Sequence, residues 1–331
     1  MSDIPVIFGE VLFDCFSDGS KTLGGAPFNV AWHLQAFGCK PLLVSRIGDD
    51  ENGSLIIKTM KKWGMSTDHV QLDSLYPTGV VEVSFSNGEP SYDIVENSAW
   101  DFIDKIEASE KLKGSNLQDV LLYHGSLALR NNDSFNALKV LGNQISTAFL
   151  DINLRPPYYS SQLVLDLFSQ QDRVKINDDE LIEVYEMIMV DQSQKNSFAE
   201  EKKPLGSNET SPVASVAKID VVSDEVTVVK IVMNEFSLKY LLLTKGSKGA
   251  TVYLDTGESF SVEPEVKIEV VDTVGAGDGF TSVVILGYLS GWSNETTLKR
   301  AQQFAAKIVG QRGATTQDPA FYTSFKKEWN L

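Results

Sequence analysis

The feature that most constrains this chain is the run Asp272-Thr273-Val274-Gly275-Ala276-Gly277-Asp278, together with what flanks it. Before it, Val266, Ile268, Val270 and Val271 read as a short apolar strand. After it, Phe280, Val283, Val284, Gly287 and Tyr288 recur at the spacing of one helix face, and Gly291 stops the helix. The order is therefore strand, tight small-residue turn, helix. A helix start leaves unpaired N–H groups and the positive end of the dipole. With no bulky side chain at Gly275, Ala276 and Gly277, an anion can come close to that backbone. Asp278 falls in the first turn, beside the pocket. A fixed acid repels a statically bound phosphate, but it suits a site where it accepts a proton while negative charge builds. That is the arrangement needed for phosphoryl transfer to a hydroxyl. The same letters also suit an ordinary glycine turn, with Asp favoured in any first helical turn.

The rest of the chain reads as alternating strands and helices. Val6-Ile7-Phe8 is a strand that leads into Gly9-Glu10-Val11-Leu12-Phe13-Asp14. Gly24-Gly25-Ala26-Pro27-Phe28-Asn29-Val30-Ala31 opens a helix that Gly38 stops. Leu42 to Val44 is a strand, followed by Arg46-Ile47-Gly48-Asp49-Asp50-Glu51-Asn52-Gly53 and a helix from Ser54 to about Trp63. Val81, Val83 and Phe85 alternate, Asn87-Gly88 is a hairpin turn, and a second strand follows. Val120 to Tyr123, a helix from Ser134 to Ile145 and Ala148 to Leu150 restore the strand–helix–strand cadence of a parallel sheet. Asp151-Ile152-Asn153-Leu154-Arg155-Pro156-Pro157 ends that strand where ligands usually bind in such sheets. Arg155 suits the cleft, or a simple pairing with Asp151. Asn177-Asp178-Asp179-Glu180 opens a helix, and as letters alone it is also an ordinary cap. Leu241 to Thr244 is a buried strand before Lys245-Gly246-Ser247-Lys248-Gly249. That turn is not a P-loop, because the Gly-Lys-Ser/Thr ending is missing and a strand follows. A tight hairpin is its plain reading.

Two of these stretches together carry a family resemblance. The spacing G-G-x-x-x-N-x-A-x6-G from Gly24 to Gly38 and the D-T-V-G-A-G-D run ending at Asp278 resemble the two signatures of the ribokinase, or PfkB, family of carbohydrate kinases. The resemblance runs from about residue 9 to residue 314, in the family's order, and is to fructokinase-like members. It implies a three-layer sandwich: a mostly parallel central sheet, helices on both faces and a small β lid. It implies that Asp278 is the catalytic base and that Gly275, Ala276 and Gly277 form the anion hole. Asp14, Gly24, Gly25 and Asn29 would bind the sugar, with Asn153 and Arg155 in the same cleft. Asn177, Thr244, Gly246 and Gly249 would contact the nucleotide. Glu180 would hold Mg²⁺ through water, as a hard cation with oxygen ligands is often held. The region from Gly310 to Ala314 would lie near adenine and, in some members, a monovalent cation such as K⁺. The Arg46 segment resembles a family motif and reads as structural.

Composition bounds the alternatives. The chain has 331 residues, 42% apolar and 22% charged, and reads as one soluble domain over 1–331. A formal net charge of −16 argues against nucleic acid and anionic membrane as partners. Two cysteines, Cys15 and Cys39, fit a reducing cytoplasm better than a disulfide framework. Met1 to Pro5 lacks a basic region followed by an apolar core, so no signal peptide is expected. No apolar run approaches the about 20 residues of a membrane span. His33, His69 and His124 lack ligand spacing and read as structural or surface residues. Residues of about 190–224 read as a surface insertion, rich in Ser, Glu, Lys and Asn. The hairpin of about 77–97 reads as an appendage, for which the family implies a lid and a possible homodimer interface.

The expected activity is transfer of the ATP γ-phosphoryl group to a sugar hydroxyl, with fructose to fructose 6-phosphate as the leading reaction. Another sugar or a nucleoside is the alternative acceptor, and a silent sugar-binding regulator of kinase descent is the alternative class. Fructokinases and keto-acid sugar kinases of bacteria often carry Arg near the end of the lid hairpin, where this chain has Val95-Glu96-Asn97. Glu96 there disfavours an acidic sugar and weakens the case for fructose. A dinucleotide-dependent oxidoreductase fits the alternation but would need G-x-G-x-x-G after the first strand, which is absent.

Overall fold

A computed structural model describes residues 4–86, 89–113, 120–201, 224–264 and 269–331. Nine strands make the main sheet. From one edge they are β5 (Val70–Asp73), β4 (Leu42–Gly48), β1 (Ile4–Phe8), β8 (Val120–His124), β9 (Thr147–Asp151), β10 (Arg173–Asn177), β11 (Tyr240–Thr244), β12 (Ala250–Leu254) and β13 (Ser259–Val262). Every pairing from β5 to β11 is parallel; the last two are antiparallel.

The apolar runs of the central strands follow from burial on both faces. Val6 and Phe8 of β1 pack with Val44, Leu122, Leu150, Val174 and Leu241 in one core. Ile7 packs with Leu43, Leu121, Phe149 and Leu242 in the other. The first core is closed by α3 (Lys105–Leu112), α4 (Asn132–Gly142), α5 (Ser161–Ser169), α6 (Asp178–Glu201) and α7 (Glu225–Phe236). The second is closed by α1 (Ala26–Phe37), α2 (Glu51–Lys62), α8 (Ala276–Leu289), α9 (Asn294–Val309) and α10 (Ala320–Trp329). The expected three layers are present. Among the described residues no helix is long and apolar enough to cross a membrane.

A separate four-stranded sheet has the order β3 (Lys21–Gly24), β2 (Leu12–Phe16), β6 (Gly79–Ser86) and β7 (Glu89–Ile94). The hairpin seen in the sequence supplies half of it; its Asn87-Gly88 turn lies outside the described residues. The other half is β2 and β3, and Asp14 lies within β2 rather than at a strand end. The end of β7 is pinned by Arg130, which donates to the carbonyls of Ile94 and Val95 and pairs with Asp101 at 2.7 Å.

Three expectations change. Val270 and Val271 are not in a strand and are 64% and 58% exposed, while Val266 and Ile268 lie outside the described residues. The amides of Val271 and Asp272 both donate to Val309 O, so this segment is tied to the end of α9 and not to a sheet. Helix α8 buries Ile285 and Leu286 as well as the expected face and leaves Tyr288 41% exposed, because it is wedged between other helices and the sheet. Finally, α6 runs to Glu201, so the first part of the supposed insertion is helix; residues 202–223 lie outside the described region.

Arg46 pairs with buried Asp73 at 2.8 Å, and Asp50 caps α2 while accepting from Thr78, so this segment is structural as read. His33 is fully buried, 3.1 Å from Ala314 O and 2.9 Å from Tyr322 Oη. Its Nε2–H donates to the carbonyl and its Nδ1 accepts from the phenol, which is the neutral ring. Burial pushes its pKa down to about 3. A base with a depressed folded pKa gives stability that is present above pH 6.5 and lost as pH falls towards 3. His33→Gln keeps a donor and an acceptor but removes the titration. Urea unfolding between pH 6.5 and 4.5 should therefore lose about 1.4 kcal/mol less per pH unit in that variant. Equal slopes would show that His33 takes up its proton in the folded protein.

Candidate active site

The mouth of α8 is built by hydrogen bonds from a neighbouring helix end. Asp272 Oδ1 accepts from the Val274 amide at 3.0 Å and Oδ2 accepts from the Gly313 amide at 2.9 Å. Gly275 caps the helix with φ 78°. A Cβ there would lie 2.2 Å from that of Ala314. This glycine is therefore demanded by the turn and by Ala314, not by room for an anion. Gly277 is the open position: within 4 Å a Cβ there would meet one atom, Lys175 Nζ, at 4.0 Å. The expected set of amides changes by one: the Ala276 amide donates to Thr273 O at 3.3 Å, whereas those of Gly275, Gly277 and Asp278 have no hydrogen-bond partner among the described residues. Amides left free at a helix mouth are the donors an anion would need.

Asp278 stands beside them. Its Oδ2 accepts from Asn29 Nδ2 at 2.8 Å, although 249 positions separate the two residues in the chain. The two glycine-led helix starts thus face each other, as expected. Gly25 caps α1 with φ 105°, and a Cβ on it would lie 2.7 Å from Glu10 O. Burial pushes the Asp278 pKa from 3.8 up to about 6; the Asn29 bond opposes this, Asp151 adds to it, and Lys175 and Arg155 pull it down.

Lys175 and Thr281 were not singled out from the sequence. Lys175 is 7% exposed on β10, and its ammonium donates to Asp151 Oδ1 at 2.8 Å. Asp151 Oδ2 accepts from Thr281 Oγ1 at 2.8 Å, and the same hydroxyl lies 3.0 Å from Gly277 O. The option of an Asp151–Arg155 pair is therefore replaced: Asp151 is held by Lys175 and Thr281. Burial opposes the ammonium, yet Asp151 holds its pKa above the ordinary lysine value. Among the described residues Asp151 is its one hydrogen-bond partner, which leaves two N–H donors beside Gly277. The sequence signal was a lysine between Val174 and Ile176 in a buried strand.

With this geometry in hand, the comparisons decide the family. The profile of the pfkB family carbohydrate kinases matches residues 14–203 and 207–320. The chain belongs to that family. The protein is thus a sugar kinase, a phosphotransferase acting on an alcohol group. A probable fructokinase-5 of Arabidopsis thaliana is 26% identical, over 95% of this chain and 94% of its own. The structure of a Xylella fastidiosa fructokinase with bound ATP superposes with a TM-score of 0.74 at 19% identity, covering 100% of this chain and 99% of that one. A putative ribokinase II from E. coli, in complex with ATP and Mg²⁺, gives 0.74 at 18% identity, covering 99% and 100%. At these identities the two structures speak for the fold.

The remaining expected residues of this pfkB kinase fall into three places. Asp14 is on β2 of the small sheet, with its Oδ2 3.4 Å from where a Cβ of Gly24 would be. Burial raises its pKa. Asn153 and Arg155 lie in the segment after β9; Asn153 has φ 43°, a left-handed conformation that Asn tolerates. Exposed Arg155 acts on both Asp278 and Glu10 by its charge. Asn177 and Thr244 are direct partners across β10 and β11, at the strand ends. Gly246 begins the turn with φ 52°, whereas a Cβ at Gly249 would strike Val262 O at 1.9 Å, so Gly249 serves strand packing.

Glu180 is where the magnesium expectation meets its test. Its Oε1 accepts from the Leu154 amide at 2.8 Å and its Oε2 from the Asn177 amide at 2.9 Å, while Asn177 Oδ1 accepts from the Glu180 amide. This is a reciprocal capping box. Among the described residues no three acidic, His or Cys side chains gather into a metal site. The donor set fits a hydrated cation held at a distance, since each carboxylate oxygen keeps a second lone pair.

Proposed function

We propose that this kinase transfers the γ-phosphoryl group of ATP to a primary hydroxyl of a neutral sugar, with O6 of fructose as the leading acceptor. The observation that carries the reading is Asp278: a carboxylate oriented by Asn29, beside three amides that have no partner among the described residues. The sugar hydroxyl oxygen bonds to the γ-phosphorus as the bond from phosphorus to the β–γ bridging oxygen breaks. The hydroxyl proton passes to Asp278, and ADP leaves with the bond's electron pair. The amides of Gly275, Gly277 and Asp278 and the Lys175 ammonium face the charge on the transferring group. Asp14, Gly24, Gly25, Asn29 and Asn153 hold the sugar, and Arg155 serves either sugar or phosphate. Asn177, Thr244 and Gly246 line the nucleotide side, with Gly249 closing the turn that presents Gly246. Glu180 and Asn177 would hold Mg²⁺ through water; the ion, when bound, supplies positive charge to the phosphates.

The test is ADP release in a coupled assay with fructose, ribose, glucose, mannose and 2-keto-3-deoxygluconate. Fructose is expected to give the highest kcat/KM, and the acidic sugar the lowest, because Glu96 is exposed at the end of the lid hairpin. A different sugar ahead of fructose by about tenfold, equivalent to about 1.4 kcal/mol, reassigns the acceptor. ADP release that no sugar stimulates returns the chain to a silent sugar binder.

A further inference from the structure

Glu10 is a buried acid at the same site for which the reaction above has no use. It lies in Gly9-Glu10-Val11, the turn that takes the chain from β1 of the main sheet to β2 of the small one. It is 3% exposed, and among the described residues its Oε2 has no hydrogen-bond partner. Asn29 Oδ1, on the amide that holds Asp278, is likewise buried and unpartnered. The turn is wedged against the first turn of α1: a Cβ at Gly9 would lie 2.5 Å from Pro27 Cγ and one at Gly25 would lie 2.7 Å from Glu10 O. The Ala26 amide donates towards the Glu10 carboxyl. Asp278 of α8 and Arg155 of the segment after β9 face it with charge, and the phenol of Tyr123 on β8 feels its charge in turn.

We propose that Glu10 works as a neutral, protonated acid that positions the Asn29–Asp278 pair, and that losing its proton switches the site off. The Glu10 turn packs on Gly25, whose carbonyl accepts from the Asn29 backbone amide at 2.9 Å, so both orphan acceptors belong to one helix start, and each unmet polar atom costs free energy. A proton on Glu10 Oε2 turns one of them into a donor. The Asn29 amide then has a reason to present Nδ2 to Asp278. Burial, first, and the Asp278 charge, second among the raising effects, push the Glu10 pKa up to about 7, against the pull of the backbone amides and Arg155. Above that pH a second carboxylate stands beside Asp278, where the phosphoryl group must arrive.

This inference rests on Asp278 being the proton acceptor. It makes Glu10 a positioning residue. The pH profile of kcat/KM should rise through about pH 6 with Asp278 and fall above about pH 7 with Glu10. Glu10→Gln imitates the neutral acid, so its alkaline fall should move up by about one pH unit or more. Glu10→Ala removes the proposed donor to Asn29 and should lower kcat about tenfold at about pH 6. Superimposable profiles for wild type and Glu10→Gln would overturn the proposal. A second readout needs no substrate. Infrared difference spectra of the wild type should contain a protonated-acid band with a component that titrates near pH 7, above the Asp278 titration at about pH 6, and that component should be missing in Glu10→Gln. If no sugar is phosphorylated but that band titrates, the substrate reading fails and Glu10 stands. If sugars are phosphorylated and the band is absent, Glu10 fails alone.

Discussion

Asp278→Asn lowers kcat by about 10³-fold or more, while the sugar binds within about threefold of the wild-type affinity. The substituted amide keeps the acceptor oxygen that Asn29 Nδ2 needs, so the two helix mouths stay joined. What it lacks is a lone pair basic enough for the hydroxyl proton. Steady-state kinetics beside calorimetric sugar binding separates the two quantities. A variant with near-normal kcat would remove Asp278 from the chemistry. The same substitution carries a stability signature of opposite sign. The folded carboxyl titrates at about 6 against 3.8 in the unfolded chain. An acid raised in this way favours the native state while it is protonated, and that advantage is lost as pH rises from about 4 through about 6. Above pH 6 the native state bears an ionised, enclosed carboxylate at a cost of up to about 3 kcal/mol. Asp278→Asn should therefore melt higher than wild type at pH 8, with the difference vanishing near pH 4. An inactive variant that is also the more stable protein at pH 8 is hard to explain by misfolding.

The parts of the site legible in the sequence were those set by backbone geometry. Gly275 and Gly25 cap helices at positive φ, and runs of small residues announce such turns. That the two helix starts face one cleft follows from their likeness within one open sheet, whereas the Asn29–Asp278 bond itself is visible only in the structure. What stayed hidden depended on pairing between distant segments. Asp14 follows an apolar run and reads as the end of a strand, because nothing local says that the chain, after Gly9, enters a second sheet in which Asp14 is an interior position. Lys175 looked like an interruption of a buried strand until Asp151 and Thr281, from two other elements, were placed around it. The supposed strand at Val270 and Val271 shows the converse: four apolar letters set a pattern, but the pairing went to the Val309 carbonyl. Asn177-x-x-Glu180 carried two readings, cap and cation site, and its bonds are those of a cap that leaves lone pairs over.

Lys175→Met is the second large effect, and the buried pair dictates how it must be tested. The single substitution strands the Asp151 carboxylate, 2% exposed, and should cost about 3–5 kcal/mol of stability. Lost activity in it would say little. Combining Lys175→Met with Asp151→Asn removes both charges together, which buried pairs often tolerate, and the new amide oxygen can still accept from Thr281. The double variant should fold and melt near wild type. Its kcat should nevertheless fall about 10²-fold, because the space above Gly277 then contains amides but no ammonium. The loss should also be visible without an acceptor. A charge beside the transferring group favours a nucleotide with a γ-phosphate, so the ratio of ATP to ADP affinity should drop by about tenfold in the double variant. Thr281→Val is the control: it breaks the bond to Asp151 Oδ2 and keeps the ammonium, so the affinity ratio should hold. A folded double variant with the wild-type ratio and a kcat within about threefold would mean that the ammonium holds β9 and β10 together and does nothing for the phosphate.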